Sequence, residues 1–476
     1  MSLPFRLGRR PFLRGAAASV ALAALPASGR AESLLVAAVR PHAVLPPPAG
    51  PSPCWLYNDG GPILRVREGQ PFRATLVNRL PEHSVIHWHG IRLPNAMDGV
   101  PWITQPPVAP GESFTYAFVP PDAGSFFFHP HCNSVEQLGR GLFGILIVDE
   151  ASPPPFAADI VCAARDWNVD PSGAFLPLST SAGASRAGTF GDVHTVNGEL
   201  EPVFEVPAGG WARLRVMNLD MSRIMAISVM EAEAWVIATD GNPVEPFPLD
   251  DWMLGPAMRI DVAVRAPSTA GAEFRLVNNF SADLWVMARG RAVGQAVRGV
   301  PGTPPVLPPS RVPEPDPANA TELRLNFSAS PGSKAPDVDP AARDAIRAML
   351  PPGASVDDAL CLTRGSFWAI NKAPWPGMAE GKVPPPLFQV ERGRTCVLEL
   401  NNATPQMHPI HLHGHTFKVL KSSKDEIRPY LADTALVRPK ERLTVAFVAD
   451  NPGDWMLHCH IIEHQETGMM AYYRVA

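Results

Sequence analysis

The chain has 476 residues, with 41 Lys and Arg against 46 Asp and Glu, 46% hydrophobic residues and 55 prolines. This length suits two or three domains with buried cores, the apolar content excludes a disordered chain, and the slightly acidic balance argues against a nucleic-acid-binding protein. Because proline breaks helix interiors and is more than twice as frequent here as the usual ~5%, we expect a soluble protein built of β-strands.

The first 31 residues are predicted to be an export signal. The pair Arg9 and Arg10 precedes a short apolar run over residues 15–26, and small residues follow up to Ala31. This arrangement is typical of a leader for the twin-arginine machinery, with cleavage near Ala31 and delivery to the periplasm. The alternative, an N-terminal helical anchor, is disfavoured because the run is short for a bilayer span, and no other span is expected in the mature chain.

The mature chain contains three copies of one local pattern. Residues 69–78, 209–218 and 393–402 each begin with Gly and end nine positions later with Asn, and a strand-like alternation lies between them. Each copy predicts a turn, a strand and a second turn. Three copies at similar places in the chain predict three related β-sandwiches.

The predicted organisation is therefore all-β. We place the domains at 32–152, 153–300 and 318–476, with a proline-rich extended linker at 301–317. A short helix is expected inside the third domain, where Asp339 can cap, Pro340 suits the first helical position and residues 341–350 carry a helical pattern.

Histidines occupy matching places in the first and third copies. His87 and His411 each stand nine residues after the repeat Asn, and further histidines stand five and seven residues after Gly124 and Gly453. The resulting His-x-His pairs are His87 and His89, His129 and His131, His411 and His413, and His458 and His460. Residues i and i+2 of a strand share a face, so each pair aims two imidazoles in one direction. Eight imidazoles predict a multinuclear transition-metal site rather than separate surface histidines.

The middle copy lacks these ligands. Ile227 and Val229 lie at the first pair of offsets, and counting from Gly271 places Leu276 and Asn278 at the second. We therefore expect the second domain to bind no metal through these positions.

A cysteine divides the fourth histidine pair. Cys459 lies between His458 and His460, and strand alternation turns it to the opposite face. With His408, His464 and Met469 it supplies a thiolate, two imidazoles and a thioether, the ligand set of a blue copper site. Met469 and its neighbour Met470 have an alternative interpretation as core residues. Cys132 also follows a histidine pair, but it does not divide that pair, and we expect it to be packed or bridged.

These motifs resemble those of the multicopper oxidases. The matching segments are His-Trp-His-Gly at 87–90, His-Pro-His at 129–131, His-Pro-Ile-His-Leu-His-Gly at 408–414 and His-Cys-His-Ile-Ile-Glu-His at 458–464, followed by Met469. The resemblance covers the whole mature chain. It implies three cupredoxin-like Greek-key domains, four copper ions, and coupling of one-electron oxidations to the reduction of O2 to water.

The resemblance also assigns the ligands. It implies a type 1 copper on His408, Cys459, His464 and Met469, a type 2 copper on His87 and His411, and a type 3 pair with His89, His129 and His460 on one ion and His131, His413 and His458 on the other. The remaining histidines, His42, His83, His194 and His415, are treated as ordinary.

Oxygen reduction consumes protons, and the family places an acid after the first motif. Asp98 occupies that place here and is the expected proton donor, although an aspartate beside glycine is also common in solvated turns. Bacterial relatives often carry a second acid directly after the last type 1 histidine. This chain has Gln465 there, so Glu463 or Glu466 is the candidate substitute.

The expected function is a laccase-like oxidase of phenols and aromatic amines, working as a monomer. Bacterial copper-resistance oxidases resemble this chain but usually carry a methionine-rich insert, whereas residues 320–365 contain one methionine, Met349. Oxidation of cuprous ion in copper tolerance is kept as the alternative, and a non-catalytic cupredoxin scaffold as a third possibility that the full ligand set disfavours. The pairing of the remaining cysteines, Cys54, Cys132, Cys162, Cys361 and Cys396, is left open.

Overall fold

The computed structural model describes residues 32–333, 366–378 and 383–476, together with Arg347. The predicted leader at 1–31, the predicted helix at 341–350 apart from Arg347, and Cys361 lie outside the described residues. In the described part, strands form six sheets, two in each third of the chain, and the domains are cupredoxin-like as expected.

The first domain contains eight strands in two four-stranded sheets, ordered β2-β1-β4-β6 and β3-β8-β7-β5. The strands are β1 Glu32–His42, β2 Ser52–Tyr57, β3 Ile63–Arg67, β4 Phe72–Arg79, β5 His87–His89, β6 Ser113–Phe118, β7 Gly124–His129 and β8 Gly144–Asp149. A short helix, α1, spans Ser134–Gly139. Alternation along β4 buries Phe72, Ala74 and Leu76 while Arg73 stays exposed, which is the pattern of a strand with one face on a core.

The middle domain contains eleven strands in sheets of six and five, ordered β10-β9-β12-β17-β14-β15 and β11-β19-β18-β13-β16. The strands are β9 Ala158–Trp167, β10 Val193–Val196, β11 Val203–Pro207, β12 Trp211–Asn218, β13 Met225–Met230, β14 Glu233–Thr239, β15 Asn242–Pro248, β16 Trp252–Leu254, β17 Arg259–Arg265, β18 Glu273–Asn278 and β19 Trp285–Val293. The helix α2, Ser181–Ala184, lies between β9 and β10.

The third domain repeats this plan, with described sheets ordered β21-β20-β23-β28-β25-β26 and β22-β30-β29-β24-β27. The strands are β20 Thr321–Ser333, β21 Ser366–Ile370, β22 Phe388–Val390, β23 Thr395–Asn402, β24 His408–Leu412, β25 Phe417–Ser422, β26 Tyr430–Ala432, β27 Thr434–Val437, β28 Arg442–Val448, β29 Gly453–Cys459 and β30 Met470–Val475. The helix α3, Ile462–Glu466, follows β29. Each domain has the same parallel pairing of its first strand with the strand of the repeat, in β1–β4, β9–β12 and β20–β23.

The repeated asparagines perform the same task in all three domains. Asn78, Asn218 and Asn402 are fully buried at the ends of β4, β12 and β23. Each side-chain carbonyl accepts the amide two residues later, and each side-chain NH2 donates to carbonyls of the following loop and of a second segment. A buried amide with its partners satisfied fixes the loop after the strand. In the first and third domains that loop leads to a histidine strand.

Two of the three domains share one hydrophobic core. One continuous core cluster joins the first and third domains, from Leu35 in β1 to Val475 in β30, whereas the middle domain has a separate core around Val216 and Ile260. The linker predicted at 301–317 has no strand or helix before a 3-10 turn that starts at Pro317, and its Leu307 packs on the middle domain. The first and third domains are therefore packed as one unit around the histidines.

In the described part of the chain, four of the five cysteines are free and one is bridged. Cys132 is disulfide-bonded, which agrees with its interpretation as a bridged cysteine rather than a ligand. Cys54, Cys162, Cys396 and Cys459 are buried free thiols. None of the helices in the described part of the chain has the length and apolar character that crossing a bilayer requires.

Candidate metal centre

Strand register brings the four histidine pairs together. In the first domain β5 pairs with β7, and His87 lies directly opposite His129; in the third domain β24 pairs with β29, and His411 lies directly opposite His458. All eight imidazoles are buried between the two domains. We call this cluster the eight-histidine pocket; its members are His87, His89, His129, His131, His411, His413, His458 and His460.

The predicted type 2 ligands face each other across the domain boundary. The Nε2 atoms of His87 and His411 are 3.4 Å apart. Their Nδ1 atoms lie 2.9 Å from the carbonyl oxygen of Asp98 and 2.8 Å from that of Asp433. A carbonyl only accepts, so each Nδ1 carries the proton and each Nε2 presents a lone pair. Two facing lone pairs repel unless a cation lies between them, so the pair fits a metal ion.

A second group of Nε2 atoms converges in the same pocket. His458 Nε2 is 3.4 Å from His131 Nε2 and 3.1 Å from His413 Nε2. His458 Nδ1 donates to the Cys459 carbonyl at 3.0 Å, and His413 Nδ1 lies 2.9 Å from Asp98 Oδ2. The orienting partners again direct lone pairs inward, which is how proteins prepare imidazoles for metal binding. These three residues are the predicted ligands of one type 3 ion.

In the other predicted type 3 group, one imidazole makes its hydrogen bond through Nε2 rather than Nδ1. His129 and His460 approach with their Nε2 atoms at 3.4 Å, and His129 Nδ1 donates to the Pro130 carbonyl at 2.9 Å. His89 instead places Nε2 2.9 Å from Asp433 Oδ1, and its buried Nδ1 has no hydrogen-bond partner in the described structure. Its ring centre is 5.1 Å from that of His460. The orphaned Nδ1 is therefore the atom by which His89 fits a metal.

Burial keeps these imidazoles in the neutral form that binds a metal. Desolvation, reinforced by neighbouring imidazoles, holds the pKa well below 6.5 for His89, His129, His131, His411, His413 and His460. It lowers the pKa of His458 to about 4. A metal binds only the neutral ring, so these pKa values keep the pocket competent across neutral pH.

Asp98 lies inside this pocket rather than in a solvated turn. It follows a 3-10 turn at Asn95–Met97 and is 1% exposed, which excludes the turn-surface alternative. Its Oδ1 is 3.2 Å from His87 Nδ1, and its Oδ2 contacts His413. Burial raises its pKa, and the neighbouring His87 opposes the rise. A carboxyl with a raised pKa in contact with two ligands can hold a proton beside the pocket.

The middle domain supplies a charged support that sequence reasoning missed. Arg259 of β17 makes two hydrogen bonds to the Asp433 carboxylate, at 2.8 and 2.7 Å. Asp433 in turn contacts His89 and offers its carbonyl to His411. Asp240, also from the middle domain, accepts the backbone amide of Asp433 at 3.2 Å. No motif marks these residues, because their partners lie in another domain far along the chain.

A second cluster forms around Cys459 on the other face of β29. The Cys459 Sγ is 3.5 Å from His408 Nδ1 and 3.6 Å from His464 Nδ1, and the two Nδ1 atoms are 3.1 Å apart. The triangle is fully buried, and burial raises the pKa of the Cys459 thiol. A thiolate there needs a metal to hold it, so the donor set fits copper. We call this group, with Met469, the Cys459 site.

Met469 lies next to this triangle in the chain fold. It is fully buried in the same core cluster as Cys459, and its backbone binds on both sides: its amide donates to the His464 carbonyl and its carbonyl accepts the Cys459 amide. These bonds hold the end of β29, α3 and the residue that precedes β30 close together. This placement suits the predicted axial ligand, and core packing by the neighbouring Met470 is compatible with it.

The acids considered beside His464 have structural partners. Glu463 accepts hydrogen bonds from Thr180 and Thr189 of the middle domain, and Glu466 accepts the Val135 amide of α1 at 2.9 Å. Gln465 is buried, and its Oε1 has no partner in the described structure. Both glutamates therefore connect α3 to other domains, and Gln465 faces the interior as an amide.

The strand register corrects one alignment from the sequence. Counting from Gly271 placed Leu276 at the position of His129, but β18 begins at Glu273, and Ile227 lies opposite Asn278. Asn278 is therefore the counterpart of His129 and His458. Its side-chain carbonyl accepts the Ala226 amide at 2.9 Å, so the middle domain uses this position to hold its own backbone.

The chain matches three family models, each described as multicopper oxidase, over residues 39–153, 159–293 and 354–476. It is 31% identical to the multicopper oxidase MmcO of Mycobacterium tuberculosis, over 98% of this chain and 96% of that protein. Among solved structures it is similar to multicopper oxidases of Pseudomonas thermotolerans (38% identity, 94% of this chain and 99% of that chain, TM-score 0.81) and Pseudomonas parafulva (39%, 94% and 100%, 0.78).

Proposed function

The chain belongs to the multicopper oxidase family and is a copper-dependent oxidoreductase that uses O2, and we propose that it oxidises phenols and aromatic amines in the manner of a laccase. The preference for organic donors over cuprous ion rests on the single methionine, Met349, in residues 320–365. The observation that carries the oxidase chemistry is the placement of two donor sets on opposite faces at the end of β29. Cys459 faces the second cluster, while its neighbours His458 and His460 face the eight-histidine pocket.

We assign four copper ions to these donors. His408, Cys459, His464 and Met469 would hold the type 1 ion, and the eight-histidine pocket would hold the type 2 and type 3 ions. When bound, copper supplies the redox chemistry: four donors each lose one electron, a phenol also releases its proton, and one O2 takes up four electrons and four protons to give two waters. The chain's part is to fix the donors, connect the two sites and supply protons.

The connection between the sites is short and covalent. The Cys459 side chain lies one peptide bond from His458 and from His460. The Cys459 carbonyl also accepts the hydrogen bond of His458 Nδ1. An electron reaching Cys459 therefore has a bonded route to ligands of two type 3 positions.

Asp98 is assigned the proton-donating role. Its carboxyl is buried, it has a raised pKa, and it lies within hydrogen-bond distance of ligands predicted for the type 2 and type 3 ions. Those properties suit a general acid beside the site of oxygen reduction. Glu463 and Glu466 are already engaged across domain boundaries, so we do not assign them a proton.

The function is tested by copper content and by paired turnover. Purified protein loaded with copper should be blue and should oxidise a simple phenol with consumption of one O2 for every four donor molecules. Turnover of Cu(I) under the same conditions measures the alternative activity. A protein that binds copper fully but oxidises only Cu(I) would replace the laccase-like assignment, and one that takes up no copper would contradict the ligand assignments.

We also propose export through the twin-arginine machinery to the periplasm, and activity as a monomer. The support is the pair Arg9 and Arg10 before a short apolar run. Changing both to lysine should leave the protein in the cytoplasm with its leader uncut. A variant that still reaches the periplasm and is processed would contradict this route, and light scattering of the mature protein measures the oligomeric state.

A further inference from the structure

A segment of the middle domain lies directly over the Cys459 site. Residues 180–190 contain α2, and His464 Nε2 donates to the carbonyl oxygen of Arg186 at 2.7 Å. Trp368, whose ring centre is 4.5 Å from that of His464, donates its Nε1 proton to the Ala184 carbonyl at 2.7 Å. His464 is fully buried. We call residues 180–190 the type 1 cover.

Glu463 anchors the type 1 cover through hydrogen bonds to its carboxylate. Its Oε1 accepts the Thr189 hydroxyl at 2.9 Å and the Thr180 amide at 3.2 Å, and its other oxygen accepts the Thr189 amide. Thr180 also caps α2, because its hydroxyl accepts the Gly183 amide at 2.9 Å. The cover is therefore fixed at both ends to the residue that precedes a type 1 ligand.

Both nitrogens of His464 are consequently engaged. Nδ1 faces Cys459 and Nε2 is bound to the Arg186 carbonyl. An aromatic donor cannot hydrogen-bond to this imidazole while the cover is in place. On the cover itself, the Arg186 side chain is exposed and pairs with no acid in the described structure.

We propose that the type 1 cover determines which donors this oxidase accepts, and that the Arg186 guanidinium favours anionic aromatic donors, such as phenols carrying a carboxylate. This proposal rests on the laccase-like function proposed above. Residues 180–190 contain no Met, Asp, Glu, His or Cys, so the cover offers a cuprous ion no side-chain ligand of the usual kinds. The guanidinium carries a permanent positive charge, which attracts an anionic donor to the region next to the type 1 site.

The first experiment measures the cover without turnover. In copper-free protein, diethyl pyrocarbonate modifies accessible imidazoles, and mass spectrometry reads the peptide that contains His464. Thr180→Val combined with Thr189→Val removes the cap and one anchor, and we expect modification of His464 about tenfold faster than in the wild type, the effect of losing one or two hydrogen bonds. Ser185→Ala is the matched control, because its hydroxyl bonds only within the cover, to the Ser181 and Ala182 carbonyls.

Equal and rapid modification of His464 in wild type and double variant would show that nothing covers it and would overturn the proposal. Protection in the wild type and the control, with exposure in the double variant, supports it. Circular dichroism identifies a double variant that fails to fold, and Thr189→Val alone, tested by the same labelling, then takes its place.

The second experiment measures donor choice. Arg186→Glu reverses an exposed charge and keeps the backbone carbonyl that binds His464. We expect kcat/KM for a carboxylate-bearing phenol, relative to its neutral methyl ester, to fall about tenfold at low salt and to recover at high salt. The blue absorption band should not move.

An unchanged ratio would mean that donors enter elsewhere, and a rate for Cu(I) above that for both phenols in the wild type would contradict the preference for organic donors. Failure of the wild type to oxidise any donor would refute the proposed function instead. In that case the labelling of copper-free protein still tests whether the cover exists.

Discussion

The Cys459 site and the eight-histidine pocket share a strand but are built in different ways. All predicted ligands of the Cys459 site lie within residues 408–469 of the third domain, and three of them are close in the chain: Cys459 at the end of β29, His464 in α3 and Met469 just after it. The eight-histidine pocket takes four imidazoles from the first domain and four from the third, and its support Asp433 is held by Arg259 of the middle domain.

This difference separates what local sequence specifies from what assembly specifies. The Cys459 site needs one domain to fold, and the middle domain then covers it through residues 180–190. The pocket exists only when the first and third domains share their core and the middle domain places its arginine behind them. A substitution should therefore be able to impair one of the two sites and leave the other intact.

Cys459→Ser should reduce activity most, although it acts on one site alone. Serine replaces a soft thiolate by a hard, mostly protonated ligand, so the type 1 ion should be lost or should be unable to accept electrons efficiently. The blue colour and nearly all oxidase activity should disappear, while the untouched histidines retain about three copper ions per chain by the family's stoichiometry. Visible absorption, elemental analysis and phenol turnover check this. Retained donor oxidation in a colourless variant would mean that electrons bypass Cys459.

Acid should act mainly on the pocket. Burial lowers the pKa of one pocket imidazole, His458, to about 4 on folding, against 6.5 when exposed. It holds the pKa well below 6.5 for six others: His89, His129, His131, His411, His413 and His460. Below pH 6.5 the unfolded chain therefore binds more protons, and the copper-free protein should lose about 1.4 kcal/mol of stability per pH unit for each such histidine. This loss should begin as pH falls through 6.5 and continue towards 4.

Thermal melts between pH 7 and 5 measure the effect. The copper-free wild type should show a steep fall in Tm, whereas the copper-loaded Cys459→Ser variant, which keeps the pocket filled, should show a much shallower one. Equal slopes for the two proteins would indicate that the pocket histidines are not the groups responsible.

Removal of the middle-domain arginine should damage the pocket and spare the Cys459 site. Arg259→Met leaves the buried Asp433 carboxylate without its partner, which costs about 3–5 kcal/mol. We expect lower stability and loss of copper from the pocket, with the blue band retained in the protein that folds. Asp433→Asn in the same chain should recover part of the stability.

Arg291→Met is the matched control for that variant. Arg291 lies in the same domain and pairs with Glu273 at 2.9 Å, but it is exposed, so its loss should cost under ~1 kcal/mol. Similar effects of the two substitutions on copper content would contradict a specific supporting role for Arg259.

Asp98→Asn should disturb the two sites least, because it changes proton supply within an intact pocket. The single asparagine oxygen can still accept from His413, and His87 Nδ1 keeps the backbone carbonyl of residue 98, so copper loading and the blue band should stay normal. Turnover limited by O2 reduction should fall about 10²-fold, the typical contribution of a general acid. Asp122→Asn, in an ion pair with Arg92 away from the pocket, controls for loss of a carboxylate. Unchanged turnover with donor in excess would remove the proton role from Asp98.

Composition and strand periodicity predicted an all-β fold, the motif resemblance implied cupredoxin-like domains, and the structure confirms both. Strand periodicity fixes which side chains share a face, and the Gly-to-Asn repeats mark equivalent places, so His87 and His411 could be matched without coordinates. The structure adds that the repeated Asn78, Asn218 and Asn402 hold equivalent loops.

The surroundings of those ligands could not be predicted from the sequence. The support of Asp433 by Arg259, the burial of Asp98, the use of Glu463 to fasten the type 1 cover and the reversed ring of His89 all depend on contacts between separate domains. The counterpart of His129 in the middle domain was also misplaced, because the start of β18 and its register shift are properties of strand pairing. Periodicity within one segment carries no information about partners that lie hundreds of residues away, so these features required the packed domains.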